Sequence, residues 1–347
     1  PKEVVDALTR AAAHGIYGYS EPYPDYFEVM SEWTKTYFSF LPKPEWHIQT
    51  PGVVPALAVA LKAFTKENDA VIIQQPVYYP FSEGILQNNR RLVNSPLKNQ
   101  DGYYTIDFED FEKKIVENDV KLFLLCSPHN PVGRVWTAAE LTRLGEICLR
   151  HGVIVASDEI HANIVYPEHR HSVFLTLDKR FEKNTAVFTS PGKTFNLAGL
   201  QISDIFIPNP ELFKLFKDEY DRSGYSQLNT FAHIGSYAAY KSGAVWLKEL
   251  LAYLDGNRRF IADFLQKNLP QIGYKIPEGT YLAWLDLKKL GLSVTAQYDL
   301  VVNRARLWLD SGKIFGIDGI GFERVNFACP QAVLKQALEQ LVEAITT

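Results

Sequence analysis

Lys193 stands among small and apolar neighbours in Thr189-Ser190-Pro191-Gly192-Lys193-Thr194-Phe195-Asn196, directly after the β-type run 185–188. A lysine in the turn that leaves a buried strand is desolvated. Its ammonium form is disfavoured, its pKa falls, and the amine is freed to attack a carbonyl and form a Schiff base. The competing reading is a solvated turn lysine, as most lysines are. Three other polar side chains stand in equivalent places: Tyr78 after the run 70–74, Asn130 after 121–126 and Asp158 after 153–157. An amine, a carboxylate, an amide and a phenol converging on one edge suit chemistry that stores an electron pair from a substrate.

The elements that must position them follow from the apolar pattern. Residues 121–126 (KLFLLC) form a continuous apolar strand of the kind buried on both faces. Runs 70–74, 153–157, 185–188 and 204–207 read the same way. Helices are expected between them at 53–64 and 81–89, and after Thr137, where Glu140 three residues on completes a capping box. Strand and helix alternating with no hairpin signal means an α/β fold with a mostly parallel sheet of about seven strands, covered by helices on both faces. Ligands of such sheets bind at the carboxyl ends of the strands, where the four polar residues fall.

Before this stretch, a helix at 4–14 is closed by His14-Gly15 and a second is expected at 26–40. After it come helices at 210–223, 229–241 and 245–268. Then follow a strand at 279–287, a helix at 298–307, a strand at 322–328 and a terminal helix at 331–345, which make a smaller α/β domain. The expected organisation is a large cofactor-binding domain over 16–245 and a small domain over 246–347, with 1–15 as part of the small domain or as an arm.

A flat anionic cofactor that gives each of these side chains a task is pyridoxal 5′-phosphate (PLP). Lys193 would hold its aldehyde and later move the substrate's Cα proton. Asp158 would pair with the protonated ring nitrogen, Asn130 donate to the phenolic oxygen, and Tyr78 stack on the ring as a second catalytic candidate. Ser190 and the backbone N–H groups of Gly52 and Val53, at the start of a helix, would hold the phosphate. His161 is expected to steady the strand end or the cofactor's surroundings. Glu168-His169-Arg170-His171 reads as a solvated loop without a third metal ligand.

Composition limits the partners. The 347 residues carry a net charge of −4, which argues against nucleic acid or an anionic membrane as the main partner. No run of 18 apolar residues spans a membrane. Cys126, Cys148 and Cys329, three in number and without metal-ligand spacing, point to reduced thiols in a cytoplasmic setting. The first residue is Pro1, with a helix almost at once, so a segment before it is expected to be missing.

SPHNPVGRVW at 127–136, SDEIHANIVY at 157–166, TSPGKTFNLAGLQ at 189–201 and GTYLAWLDL at 279–287 resemble fold-type I PLP enzymes. With GYSEP at 18–22, TPGVVPAL at 50–57 and RVNFACP at 324–330, the chain resembles the cystathionine β-lyase/C–S lyase branch of the class I/II aminotransferase family. The resemblance implies that Arg324 clamps the substrate α-carboxylate, as a planar guanidinium can. It implies that Tyr19 reaches the cofactor phosphate of a neighbouring subunit in a homodimer with interfacial active sites. The implied reaction is α,β-elimination from L-cystathionine, L-cysteine or a cysteine S-conjugate, giving pyruvate, ammonia and a thiol or hydrogen sulfide. The alternative is an amino-acid aminotransferase, which uses the same residues; a dicarboxylate transferase would want a second arginine, and none is assigned. A regulatory protein docking a partner on its outer face is a reading from another class, disfavoured by the intact lysine. Two departures bear on phosphate binding: Gln201 stands where many such enzymes have arginine, and Gly192 where serine is common.

Overall fold

The structure is a computed structural model and describes residues 1–346. Strands β1 (His47–Thr50), β2 (Ala70–Ile73) and β3 (Arg91–Asn94) come first, and β4 (Lys98–Gln100) and β5 (Tyr103–Thr105) form a separate hairpin. With β6 (Val120–Cys126), β7 (Ile154–Asp158), β8 (Thr185–Thr189) and β9 (Ser203–Phe206), the large sheet has the order β1-β9-β8-β7-β6-β2-β3. The block from β3 to β8 is parallel, and β9 runs antiparallel to both β8 and β1.

Burial on both faces explains the unbroken apolar strands. Leu122, Leu124 and Cys126 of β6 join one core cluster, while Phe123 and Leu125 join the other. The helices that cover the sheet include α1 (Lys2–His14), α2 (Tyr26–Phe38), α3 (Val53–Phe64), α4 (Pro80–Gln87), α5 (Phe108–Asn118) and α6 (Ala138–Arg150). Thr137 and Glu140 make the expected capping box at the start of α6. Next come the single turn α7 (Pro191–Thr194), then α8 (Pro210–Arg222) and α9 (Thr230–Ser242). Val4 of α1 belongs to the large-sheet core, and Gly235 on α9 leaves the room that Val4 and Leu8 approach.

The smaller sheet is antiparallel, ordered β10 (Gly273–Tyr274), β11 (Leu282–Asp286), β13 (Phe322–Asn326) and β12 (Asp310–Ser311). It packs with α10 (Ala244–Asn268) and α12 (Gln331–Thr346) around its own core, which Ile164 and Tyr166 also enter. The expected helix at 298–307 is shorter and shifted: α11 (Val294–Tyr298) runs into a π-helical turn at Asp299–Arg304.

Main-chain bonds stitch the two sheets together beside the Asn130 loop. The amides of Glu278 and Gly279 both donate to the Gly133 carbonyl, at 2.8 and 3.0 Å. Arg134, almost wholly buried, donates to Glu278 Oε2 at 2.9 Å and to Glu140, and bonds the Tyr104 carbonyl. The loop at Glu168–His171 is not simply solvated. His171 is buried 2.8 Å from Glu159 Oε2, and Glu168 accepts from Arg258 and Arg259.

Candidate active site

Register brings the chemistry to one edge. Cys126 on β6 lies opposite Asp158 on β7, and Asp158 opposite Phe188 on β8, so the three parallel strands end level. The chain leaving β8 turns at once into α7, which carries Lys193. Ser190 caps that turn: its Oγ accepts the Gly192 N–H at 2.9 Å and donates to the Ile202 carbonyl at 2.6 Å. Expected at a phosphate, the Ser190 hydroxyl therefore has other partners, and its visible task is to fix the lysine turn.

Lys193, Asp158, Asn130, Tyr78, His161, Ser190, Gly52, Val53 and Arg324 all line one cleft of about 400 Å³. Burial lowers the Lys193 pKa, with Asp158 pulling the other way and Arg324 adding to the depression. Asp158 is buried, and burial pushes its carboxyl up to about 7, against the Ile160 N–H it accepts at 3.1 Å and the charge of Lys193. Burial takes His161 down to about 3, helped by Lys193 and Arg324, so the ring is neutral at physiological pH. It lies edge-on to Tyr281 with ring centroids 5.5 Å apart. Tyr78 is pushed up to about 12 by burial, then by Tyr79 and Asp158. Asn130 Oδ1 accepts from Arg324 Nη1 at 2.9 Å, which leaves its N–H₂ end as the donor for a ligand.

At the other side of the cleft α3 begins. Gly52 has φ 107° and ψ 159°, which side-chain-bearing residues rarely adopt, and this turns the chain from β1 into the helix. The Gly52 N–H, expected free for phosphate, donates to the Thr50 carbonyl at 2.8 Å. The donors left without a helical acceptor are those of Val53 and Val54, the first two helical residues, since Pro55 has none. Gln201 also lines the cleft, near Ile202. Tyr19 does not: it is 96% exposed.

The geometry adds residues that the sequence reading passed over. Tyr281 and Asn326 line the cleft, as does Asp310, which pairs with Arg324. Tyr281 lay inside the GTYLAWLDL motif and could have been singled out there. Asp310 sits on a two-residue strand that leaves no pattern.

The aminotransferase class I and II family profile matches residues 1–341. The chain belongs to that family. It is 38% identical over 346 residues to the protein named cystathionine beta-lyase PatB of Bacillus subtilis (strain 168), covering 100% of this chain and 89% of that one. Cystalysin from Treponema denticola, whose structure contains a pyridoxal 5′-phosphate cofactor, superposes with a TM-score of 0.97 at 38% identity, over 100% of this chain and 88% of the other. The PLP-bound C–S lyase from Staphylococcus hominis superposes with a TM-score of 0.93 at 33% identity, over 100% and 90%. The fold expected from the alternating pattern is thus that of the family.

Proposed function

We propose that this chain is a PLP-dependent carbon–sulfur β-lyase that splits L-cystathionine, L-cysteine or cysteine S-conjugates into pyruvate, ammonia and a thiol or hydrogen sulfide. What carries the reading is one cleft holding a desolvated lysine, a buried aspartate and an arginine fork, in a chain 38% identical to a protein named cystathionine beta-lyase.

The residues present fit PLP. A fully buried carboxyl with a raised pKa wants a cationic partner, which a protonated ring nitrogen would be. The unpaired N–H groups at the start of α3 suit a phosphate. Buried Nδ1 of His161 and Nε of Arg324, both in cleft-lining residues, have no partner among the described residues. Bound there, PLP supplies an aldehyde that condenses with amines and a ring that stores the electron pair left at Cα.

Every other task falls to the chain. Lys193 would hold the aldehyde, and its free amine would take the substrate's Cα proton. Its lowered pKa keeps more of that amine unprotonated near neutrality. Arg324 grips the α-carboxylate, and Asn130 holds Arg324 through Nη1. Asp158 would keep the ring nitrogen protonated, and Tyr78 would stack on the ring. Val53 and Val54 would hold the phosphate. Among the described cleft-lining side chains the lasting cations are Lys193 and Arg324, each with a task already, whereas a dicarboxylate transferase would want a second arginine.

A homodimer fits the segment around Tyr19, where Ile16 and Tyr17 are also exposed. In that arrangement Tyr19 reaches the partner's phosphate. A reducing, cytoplasmic setting fits the three free cysteines, and no helix among the described residues is long and apolar enough to cross a membrane. The reading is tested by incubating purified holoprotein with L-cystathionine and no keto acid. Release of pyruvate and free thiol is expected; turnover only after a keto acid is added would replace the lyase with a transferase.

A further inference from the structure

Arg324 and Asp310 stand directly opposite each other on β13 and β12, so the register of the ladder sends both side chains to one face. That face meets the cleft, which both line. The guanidinium is held on three sides. Nη1 donates to Asn130 Oδ1, Nη2 is bonded to Asp310 Oδ2, and the Phe315 ring centroid lies 4.8 Å from its carbon. Nε is buried and without a partner among the described residues.

A guanidinium offers a carboxylate two forks, Nη1 with Nη2 and Nε with Nη2. Nη2 belongs to both, and that is the nitrogen Asp310 occupies. The pair is unequal in depth: the Arg324 side chain is 13% exposed and that of Asp310 46%. The aspartate therefore stands on the solvent side of the arginine, where an amino acid would arrive.

We propose that Asp310 is a specificity-determining residue. It is a resident carboxylate that holds Arg324 when no amino acid is bound, and its charge sets this end of the cleft against amino acids with an acidic side chain. The inference rests on Arg324 gripping the substrate α-carboxylate. With Asp310 in place the net charge of this end is zero, so an α-carboxylate displaces a rival to bind. A second negative charge on the same ligand then meets Asp310 at close range, whereas a cationic or neutral side chain does not.

The test uses holoprotein of the parent chain and of Asp310→Asn and Asp310→Ser. Each is titrated with L-norvaline, L-glutamate and L-ornithine, which have similar reach and differ in distal charge. Binding is followed by the change in the cofactor's visible absorbance and, separately, by the rise in melting temperature. The parent is expected to bind glutamate most weakly. Both variants are expected to lower the ratio of the glutamate Kd to the ornithine Kd about tenfold, as removing one like charge near a partly buried site does. A ratio that stays within threefold of the parent in both variants overturns the proposal and makes the pair merely structural. Arg324→Lys separates the two layers. If it leaves all three Kd values unchanged, the clamp assignment itself fails. If it weakens all three while the Asp310 variants leave the ratio unmoved, only the role of Asp310 fails.

Discussion

Asp158 ends β7 with 4% of its surface exposed. Its carboxyl is pushed from the ordinary 3.8 up to about 7, chiefly by burial. A folded-state pKa above the unfolded one means that the folded chain prefers the protonated acid. The associated stability is fully present below about pH 4 and is lost as pH rises through 7. One pKa unit corresponds to about 1.4 kcal/mol, so a shift of roughly 3 units amounts to about 4 kcal/mol across the window. Asp158→Asn keeps the shape and removes the titration. Urea unfolding of both cofactor-free proteins between pH 5 and 8 should show the parent losing roughly 3 kcal/mol relative to the variant. Glu323, which burial also raises to about 7, is present in both proteins and cancels in the difference. Saturating PLP should flatten the parent's slope, because a protonated ring nitrogen then pairs with the ionised carboxylate. Parallel stability curves for the two cofactor-free proteins would refute the placement of Asp158 as a desolvated acid awaiting a cation.

Lys193→Ala should remove the visible absorbance band that PLP acquires on binding covalently, and should lower pyruvate release by roughly a thousandfold or more; an unchanged band in a spectral titration would contradict the assignment. Gly52→Ala forces a side chain into φ 107°, which costs about 1–3 kcal/mol, although the new Cβ would meet only Pro55 Cδ at 3.7 Å. Its urea midpoint should fall, and its PLP affinity should weaken about tenfold or more as the start of α3 shifts. Arg134→Ala leaves Glu278 and Glu140 without their buried partner and should destabilise by about 3–5 kcal/mol, read as a loss in urea midpoint.

The parallel block was legible because strands such as Val120–Cys126 are apolar on both faces, and the ends of such strands point to Asn130 and Asp158. The direction of β9 was not: Ser203–Phe206 is four buried residues, and nothing in so short an apolar run tells parallel from antiparallel. The β4–β5 hairpin did carry a signal that was passed over. Asp101 and Gly102 have φ of 49° and 85°, the two-residue turn that an Asp-Gly pair favours. Edge strand β3 is too mixed in polarity to stand out. At the site, residue types and their places after apolar strands singled out Lys193 and Asp158, whereas Arg324 was named only through the family resemblance. The local partners of Ser190 (Gly192 and Ile202) and of the Gly52 N–H (Thr50) were not legible, because hydrogen-bond partners are set by three-dimensional proximity. Asp310 acquired its meaning from the residue across the ladder.

The seam at Gly133 and Glu278–Gly279 joins the loop bearing Asn130 to the sheet bearing Arg324 through peptide groups. Both glycines of the seam are closed to side chains: a Cβ on Gly133, at φ 72°, would come within 2.4 Å of Pro277 Cβ, and one on Gly279 within 2.8 Å of Val135 Cγ2. The span between the amide and the guanidinium thus hangs on two positions that admit no side chain. Descendants of this scaffold are therefore expected to keep both glycines while exposed rim positions change.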